Sequence, residues 1–360
     1  MKIAFVTPGM TFGGAERVIS ILANNWYDMG HEVSLFITAS NKPSVYKMNE
    51  KIKVEYYQAY RENGVSHFKL LSSIREFVNK EKPDCVLSFM NDVCAYTIIA
   101  LMGTGIPVIY SERNDPNKTN QGKVEKIYRK IVEIGAKHIV FQTNGARTCY
   151  SKKVQRKSSI ILNPVNLDKI PDRTKEEINY SEIVSVGRLE PQKNQELLID
   201  AFSVVSKTHK DVILKIFGEG TLENKLQNKI DELGLTERIF LMGAKSDVLE
   251  WIKESFCFVL SSDFEGLPNS LIEAMCIGMP CISTDCSPGG ARELLRDDRG
   301  IVVPCGNKEE LAEAINMYLE KKDIAIKYGE EAFGLRKEIE AGIVAKEWIN
   351  LIEKTRRGEK

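Results

Sequence analysis

Short, almost wholly apolar runs recur along this chain, each followed by a stretch of helical periodicity. No other feature limits the fold as much. Lys2–Thr7, Val33–Thr38, Asp84–Phe89, Val108–Ser111 and His138–Phe141 are the runs of the first part. Glu182–Val186, Val212–Phe217, Ile239–Met242, Phe256–Leu260, Cys281–Thr284 and Ile301–Val303 are those of the second. Runs without polar alternation read as strands covered on both faces, the pattern of a parallel sheet. Helical patterns lie between them: Ala15–Met29, Phe68–Lys80 and Lys123–Ile134, then Glu196–Val205 and Leu222–Leu233. Strand and helix in alternation predict a doubly wound α/β fold. The alternation breaks once, at the turn pair Asn163-Pro164 within Ile160–Asn166 and the polar segment Lys169–Tyr180 that follows. We place a domain boundary there, giving residues 1–165 and 166–339. A length of 360 residues suits two domains of roughly 150 each. A long helical pattern, Glu330–Lys354, ends the chain.

Ligands of such sheets bind outside the carboxyl ends of the strands, so the loops after the strands are where chemistry is expected. Pro8–Gly14 follows the first strand, and its Gly13-Gly14 pair permits close backbone approach. It is not the G-x-G-x-x-G of dinucleotide sites. Gly187–Asn194, GRLEPQKN, follows the first strand of the second domain and carries Arg188 and Lys193. Cations at a helix start oppose the helix dipole and call for an anionic ligand. Gly218 and Gly243 lie in two further turns at strand ends.

The densest stretch is Ser261–Pro280, SSDFEGLPNSLIEAMCIGMP. Pro268 suits a first helical residue, and Gly278 and Pro280 stop the helix. Leu267, Leu271, Ala274 and Met275 form an apolar face. Glu265 lies in the loop before the helix and Glu273 inside it, off that face. A helix N-terminus favours phosphate, and two carboxylates can hold hydroxyls. The same residues also read as a capped surface helix with two solvated glutamates.

The string E-G-L-P-N-S-L-I-E-A-M, followed by G-M-P-C-I-S-T, resembles the signature of the retaining glycosyltransferases of family 4, with seven residues between its two glutamates. G-G-A-E-R, G-R-L-E-P-Q-K-N and N-P-V resemble further segments of that family. The resemblance implies a GT-B fold, two Rossmann-like domains facing a central cleft, with the C-terminal helix of about 340–360 packing back on the first domain. Trp348, Ile349 and Ile352 would anchor it there, or serve the core of the second domain. The resemblance further implies that Arg188 and Lys193 hold the donor pyrophosphate, that Glu265 meets the donor sugar and Glu273 the ribose. Gly266 and Leu267 would offer amides to the phosphate. Gly13, Gly14, Gly187, Gly218 and Gly243 would line the donor site. Asp263 reads as a support or a turn residue. In much of the family a histidine occupies the place of Arg113 in Ser111–Pro116. An arginine there can bind a phosphate or a hydroxyl, or pair with Glu112 or Asp115.

The implied activity is transfer, with retention, of a hexose or N-acetylhexosamine (GalNAc among them) from a UDP-sugar to a glycan. The acceptor implied is a polyprenyl-diphosphate-linked oligosaccharide of bacterial surface polysaccharide synthesis. The alternative is a non-catalytic binding relative of the same fold. Inverting transferases and epimerases of this fold lack the glutamate pair. His31, His67, His138 and His209 are scattered, and no cluster has metal-ligand spacing, so no metal or other cofactor is expected.

Charge decides which partners remain. Residues 1–165 hold 23 Lys+Arg and 14 Asp+Glu, the remainder 27 and 36. The basic residues of the first part include Lys123, Lys126, Arg129, Lys130 and Lys137, then Lys152, Lys153, Arg156 and Lys157. Val124, Ile127, Ile131 and Ile134 add an apolar stripe to the first group. This reads as an interfacial helix on an anionic membrane, or as a core helix with a solvated basic side. Nucleic acid is not expected, since no motif for it is present. Eight cysteines without a C-x-x-C read as buried thiols, which fits a cytoplasmic setting. Met1–Thr7 reads as a strand rather than a leader. No apolar stretch approaches the roughly 20 residues needed to span a bilayer, so membrane contact is expected to be peripheral.

Overall fold

The computed structural model describes residues 1–11, 13–57, 66–119 and 122–358. The chain divides into two compact units, Met1–Val165 with Ile339–Lys360, and Asn166–Glu338.

The first unit is built on strands β1 (Lys2–Thr7), β2 (Glu32–Ile37), β3 (Lys53–Tyr56), β4 (Cys85–Ser88), β5 (Val108–Ser111), β6 (His138–Phe141) and β7 (Ser158–Ile160). They pair in the order β3-β2-β1-β4-β5-β6-β7. The pairing is parallel, with Ile3 beside Val33 on one side of β1 and beside Cys85 on the other. The chain winds outward from β1 to β3, then returns to β4 on β1's free side, so a crevice opens at the carboxyl ends of β1 and β4. One sheet face is packed by Phe5, Trp26, Phe89 and Trp348, the other by Phe36, Phe77, Tyr110 and Phe141. Phe5 stacks on Trp26 with ring centroids 5.4 Å apart. The indole N–H of Trp26 donates to the Ala345 carbonyl at 3.0 Å.

Ala345 belongs to the last helix, Ala341–Arg357, whose Trp348 and Ile352 are wholly buried in this core. Burial of such side chains is worth about 1.5–3 kcal/mol each, which fastens the end of the chain to the first unit. The expected single pattern Glu330–Lys354 is in fact three helices, Lys322–Phe333, Arg336–Ile339 and Ala341–Arg357. They are interrupted at Gly334 and at Glu340, whose extended backbone lets its carboxylate cap Gly342 N.

The second unit repeats the plan with β8 (Asn179–Val186), β9 (Ile213–Phe217), β10 (Ile239–Leu241), β11 (Ser255–Leu260), β12 (Cys281–Thr284) and β13 (Ile301–Val303). The order β10-β9-β8-β11-β12-β13 puts the switch point between β8 and β11. The segment expected as a polar linker, Lys169–Tyr180, is bound into this unit. It carries a 3-10 turn at Lys175–Glu177, and β8 already begins at Asn179. Arg173 donates to the carbonyls of Gly278, Ser255 and Phe256 at 2.7–3.0 Å. Those three carbonyls lie at the amino ends of β11 and β12, and a guanidinium has enough donors to satisfy all of them.

The helix expected after Ser261 spans Asn269–Ile277, with Pro268 as its N-cap rather than its first turn. Gly278 ends it in the left-handed region at φ +84°. It is not a surface helix. Every residue from Leu271 to Ile277 is buried, Glu273 included.

Candidate active site

Both loops at the switch point of the second unit come from the sequence segments singled out above. β8 ends in Gly187–Asn194 and β11 in Ser261–Pro268. Hydrogen bonds and an ion pair bind the two loops together. Asp263 N donates to the Gln192 carbonyl at 2.9 Å, and Gln192 Nε2 donates to the Phe264 carbonyl at 2.8 Å. Ser261 Oγ donates to the Lys193 carbonyl at 3.0 Å, and Asn194 Nδ2 to Asp263 Oδ1 at 2.8 Å. At their centre Lys193 Nζ meets Glu265 Oε1 at 2.5 Å, with side chains only 15% and 10% exposed. Asn194 sits in the left-handed region at φ 45° and caps the helix Gln195–Thr208 through Leu197 N. Asp263 is thus a support for the β8 loop.

Glu265 is held from several directions. Its Oε1 also accepts from Ser262 Oγ at 2.8 Å, and Gln192 Nε2 lies 3.4 Å from Oε2. Its backbone N–H donates to the Ser287 carbonyl at 2.9 Å. These contacts fix the orientation of the carboxylate. Arg188 lies at the same strand end but is exposed, and no ion pair among the described residues involves it. The loop therefore holds one cation tied to a carboxylate and one open to solvent. Gly266 is half-buried and Leu267 is buried, just ahead of the helix that carries Glu273.

The candidate glycines Gly187, Gly218 and Gly243 lie close together at these strand ends. Gly187 N donates to the Phe217 carbonyl at 2.9 Å and Gly218 N to the Gly243 carbonyl at 3.0 Å. These join the ends of β8, β9 and β10. Gly218 has φ +140°, and a Cβ there would lie 2.0 Å from the Gly187 carbonyl oxygen. Only glycine fits. Gly243 also has a positive φ, +65°, but open space around it.

The remaining candidates belong to the first unit. Gly13 caps the helix Gly14–Asp28 in extended backbone at φ −175°, which any residue adopts. Its carbonyl accepts from Tyr46 O–H at 2.9 Å. Glu16 of the same helix folds its carboxylate over Gly13 and is half-buried, which raises its pKa. Phe12 lies outside the described residues.

Arg113 is buried in the loop after β5, and it pairs with neither Glu112 nor Asp115. Its Nη1 donates to Asn163 Oδ1 at 2.6 Å, and its guanidinium lies 4.0 Å from the centroid of the Phe89 ring. Asn163 also accepts from Gln142 Nε2. Burial draws the Arg113 pKa down to about 9, and its Nε has no hydrogen-bond partner. Glu112 instead anchors its own loop. Its Oε1 accepts from Arg113 N and Asn114 N at 3.1 and 3.2 Å, and its Oε2 accepts from Tyr150 O–H at 2.7 Å. Burial nevertheless pushes the Glu112 pKa up.

The basic helix of this unit, Lys123–Gly135, buries only Val132 completely. Val132, with Tyr128 and Ile131, packs on the core, while Val124, Ile127 and Ile134 are 53%, 59% and 70% exposed. Arg129 turns inward, over the Tyr150 ring and onto the Pro116 and Cys149 carbonyls. Lys123, Lys126 and Lys130 remain exposed on the helix surface. Among the described residues no helix is long and apolar enough to cross a membrane.

Sequence reading picked out Arg188, Lys193, Glu265 and Glu273 but not the residues that fix them. Ser261, Ser262 and Gln192 are ordinary loop residues whose partners lie at least 68 positions away for Ser261 and Gln192. Asn163 was visible as half of a turn pair and as part of the N-P-V segment, not as a partner of Arg113.

Comparison with known proteins agrees with this anatomy. The model of Glycosyltransferase Family 4 matches residues 12–169, and that of Glycosyl transferases group 1 matches residues 168–334. An uncharacterized glycosyltransferase of Methanocaldococcus jannaschii is 34% identical over 254 residues, 63% of this chain and 61% of that protein. The "GalNAc-alpha-(1->4)-GalNAc-alpha-(1->3)-diNAcBac-PP-undecaprenol alpha-1,4-N-acetyl-D-galactosaminyltransferase" of Campylobacter jejuni is 26% identical, over 98% of each chain. Among solved structures, Anabaena HepE in complex with UDP superposes with a TM-score of 0.82 at 17% identity, covering 98% of this chain and 100% of that one. Two family models spanning nearly the whole chain, on two doubly wound units of GT-B type, establish that this chain belongs to the glycosyltransferases of family 4.

Proposed function

We propose that the chain transfers a hexose or N-acetylhexosamine from a UDP-sugar to a glycan acceptor, with retention of configuration and without a metal. The observation that carries this reading is the Lys193–Glu265 pair beside the exposed Arg188, at the switch point of the second unit. A sugar diphosphate needs cations for its phosphates and a fixed acceptor for its hydroxyls, and this loop pair holds both.

In the proposed reaction the bond from the sugar's anomeric carbon to the phosphate oxygen breaks, and the electron pair leaves with the phosphate. The acceptor hydroxyl forms its bond to that carbon on the same face, and its proton passes to the departing phosphate oxygen. Arg188 and Lys193 would offset the charge that develops there. Fixed donors aimed at developing charge are a large catalytic term. Glu265 would hold the sugar hydroxyls, Glu273 the ribose, and the amides of Gly266 and Leu267 the phosphate. Arg113 would act as a positioning residue, because it is buried against Phe89 and bonded to Asn163.

The names of the relatives support a lipid-linked acceptor for this chain as well. The exposed stripe Val124, Ile127 and Ile134, flanked by Lys123, Lys126 and Lys130, fits peripheral contact with an anionic membrane. Each such lysine adds about 1 kcal/mol near an anionic surface, screened by salt.

The test is UDP release from a panel of UDP-sugars offered with a polyprenyl-diphosphate-linked glycan, in the presence of EDTA. The expected product keeps the donor's anomeric configuration by NMR. No release with any donor, or an inverted linkage, refutes the reading. Co-sedimentation with liposomes tests the membrane part, and binding that ignores lipid charge and salt refutes it alone.

A further inference from the structure

A small cavity of about 190 Å3 lies in the first unit at the carboxyl ends of β4 and β5, beside the switch point of that sheet. Its walls include Phe89, Asn91, Asp92, Glu112, Asn114 and Tyr128. No lysine or arginine is among the described residues that line it, and three of them, Asp92, Glu112 and Glu125, are carboxylic acids. An anion is therefore repelled, and a diphosphate has no place here. The cavity is smaller than the roughly 300–1,000 Å3 that holds a drug-sized ligand, so it takes a single ring. Carboxylates accept hydrogen bonds, while amides both donate and accept. Carboxylates and amides together match a ring of hydroxyls, which both donate and accept. Aromatic walls offer a packing surface to the C–H face of such a ring.

The site is also fixed in advance. Glu112 ties down the Asn114 backbone at 3.2 Å and accepts from Tyr150 at 2.7 Å. Tyr128 O–H meets Tyr96 O–H at 2.7 Å, and Tyr96 meets His67 Nδ1 at 2.7 Å. Asn91 Nδ2 donates to the Glu125 carbonyl at 3.2 Å. Asp92 and Asn114 themselves are exposed, which leaves them available to a ligand.

We propose that this cavity binds one neutral sugar ring of the acceptor, with Asp92 and Asn114 as its hydroxyl ligands. This rests on the glycosyltransferase reading above. It also divides a lipid-linked acceptor by chemistry, since its sugar enters an acidic pocket that its diphosphate cannot share.

Saturation-transfer NMR with methyl α-glycosides of galactose, glucose and their N-acetylated amines tests it on the full chain, alongside Asp92→Ala and Asn114→Ala. At least one glycoside should bind the wild type, and each variant should bind it at least tenfold more weakly. In turnover, acceptor KM should rise at least tenfold in each variant with kcat within about twofold. Both side chains are exposed, so neither change empties the core. Glycoside binding equal in wild type and both variants, or absent altogether, overturns the proposal. So does displacement of the glycoside by methylammonium chloride at equal concentration, which would mark a cation site. A UDP-induced thermal shift on the same samples separates the two readings. If UDP stabilises the protein but no glycoside binds, only the acceptor cavity falls. If UDP fails as well, the transferase reading falls with it.

Discussion

Breaking the Lys193–Glu265 pair one partner at a time gives a prediction with a magnitude. Both side chains are nearly buried, at 15% and 10% exposure, and 2.5 Å apart. Removing one partner of a buried pair costs about 3–5 kcal/mol, because the other charge stays behind. The residual exposure, and the Ser262 and Gln192 hydrogen bonds that remain on Glu265, put each single change at the low end, about 3 kcal/mol. For a unit of this size each kcal/mol moves Tm by roughly 2–4 °C, so Lys193→Met and Glu265→Gln should each lower Tm by about 6–12 °C. The double variant has no orphaned charge, so its loss should fall short of the sum of the two by at least about 1 kcal/mol. Urea denaturation of the four proteins closes the cycle. Additivity within about 0.5 kcal/mol, the behaviour of independent sites, would refute the coupling and with it the premise that these two residues form one device.

Gly218→Ala should cost about 2–4 kcal/mol, from overpacking against the Gly187 carbonyl and a backbone strained at φ +140°. Gly243→Ala, strained but unobstructed, should cost only about 1 kcal/mol; equal costs in thermal unfolding would contradict the close approach. His138 is partly buried beside Lys157, and burial together with that cation lowers its pKa to about 4. Between the unfolded value near 6.5 and about 4 the unfolded chain binds the extra proton, so His138 supports the fold above pH 6.5 and loses up to about 3 kcal/mol as pH falls toward 4. His138→Gln, which can keep the bond to Ser159, should flatten that acid limb of the stability profile; an unchanged limb counts against it.

How far the sequence could be read depended on whether the deciding contact was local. β1, β5, β6, β11 and β12 stood out because interior strands, buried on both faces, are largely apolar. β3 (KVEY) and β7 (SSI) did not, since they lie at the sheet's edges and need no continuous apolar run. The burial of Glu273 was hidden for a related reason. One apolar face suggests a surface helix, and only the packing of Asn269–Ile277 in its unit shows it buried on all sides. Of the two readings for Arg113, ligand binding or pairing with Glu112 or Asp115, the local pairing is not what forms, and the partner it does meet, Asn163, is 50 positions on. The motif residues were legible from local spacing, while the contacts that tie the Lys193 loop to the Glu265 loop, such as Ser261 to Lys193 and Gln192 to Phe264, join residues 68 and 72 positions apart and exist only once the sheet has formed.

The central claim is that a nucleoside diphosphate is held where β8 and β11 part. Calorimetric titration of UDP into the full chain, with Arg188→Ala and Glu273→Ala beside it, tests this most directly. A charge-assisted contact is worth about 1.5–3 kcal/mol, so each variant should lose roughly tenfold to a hundredfold in Kd. Arg188 is exposed and outside every described ion pair, so its variant should keep the wild-type Tm. Failure of UDP to bind the wild type, or equal affinity in all three proteins, would contradict the account.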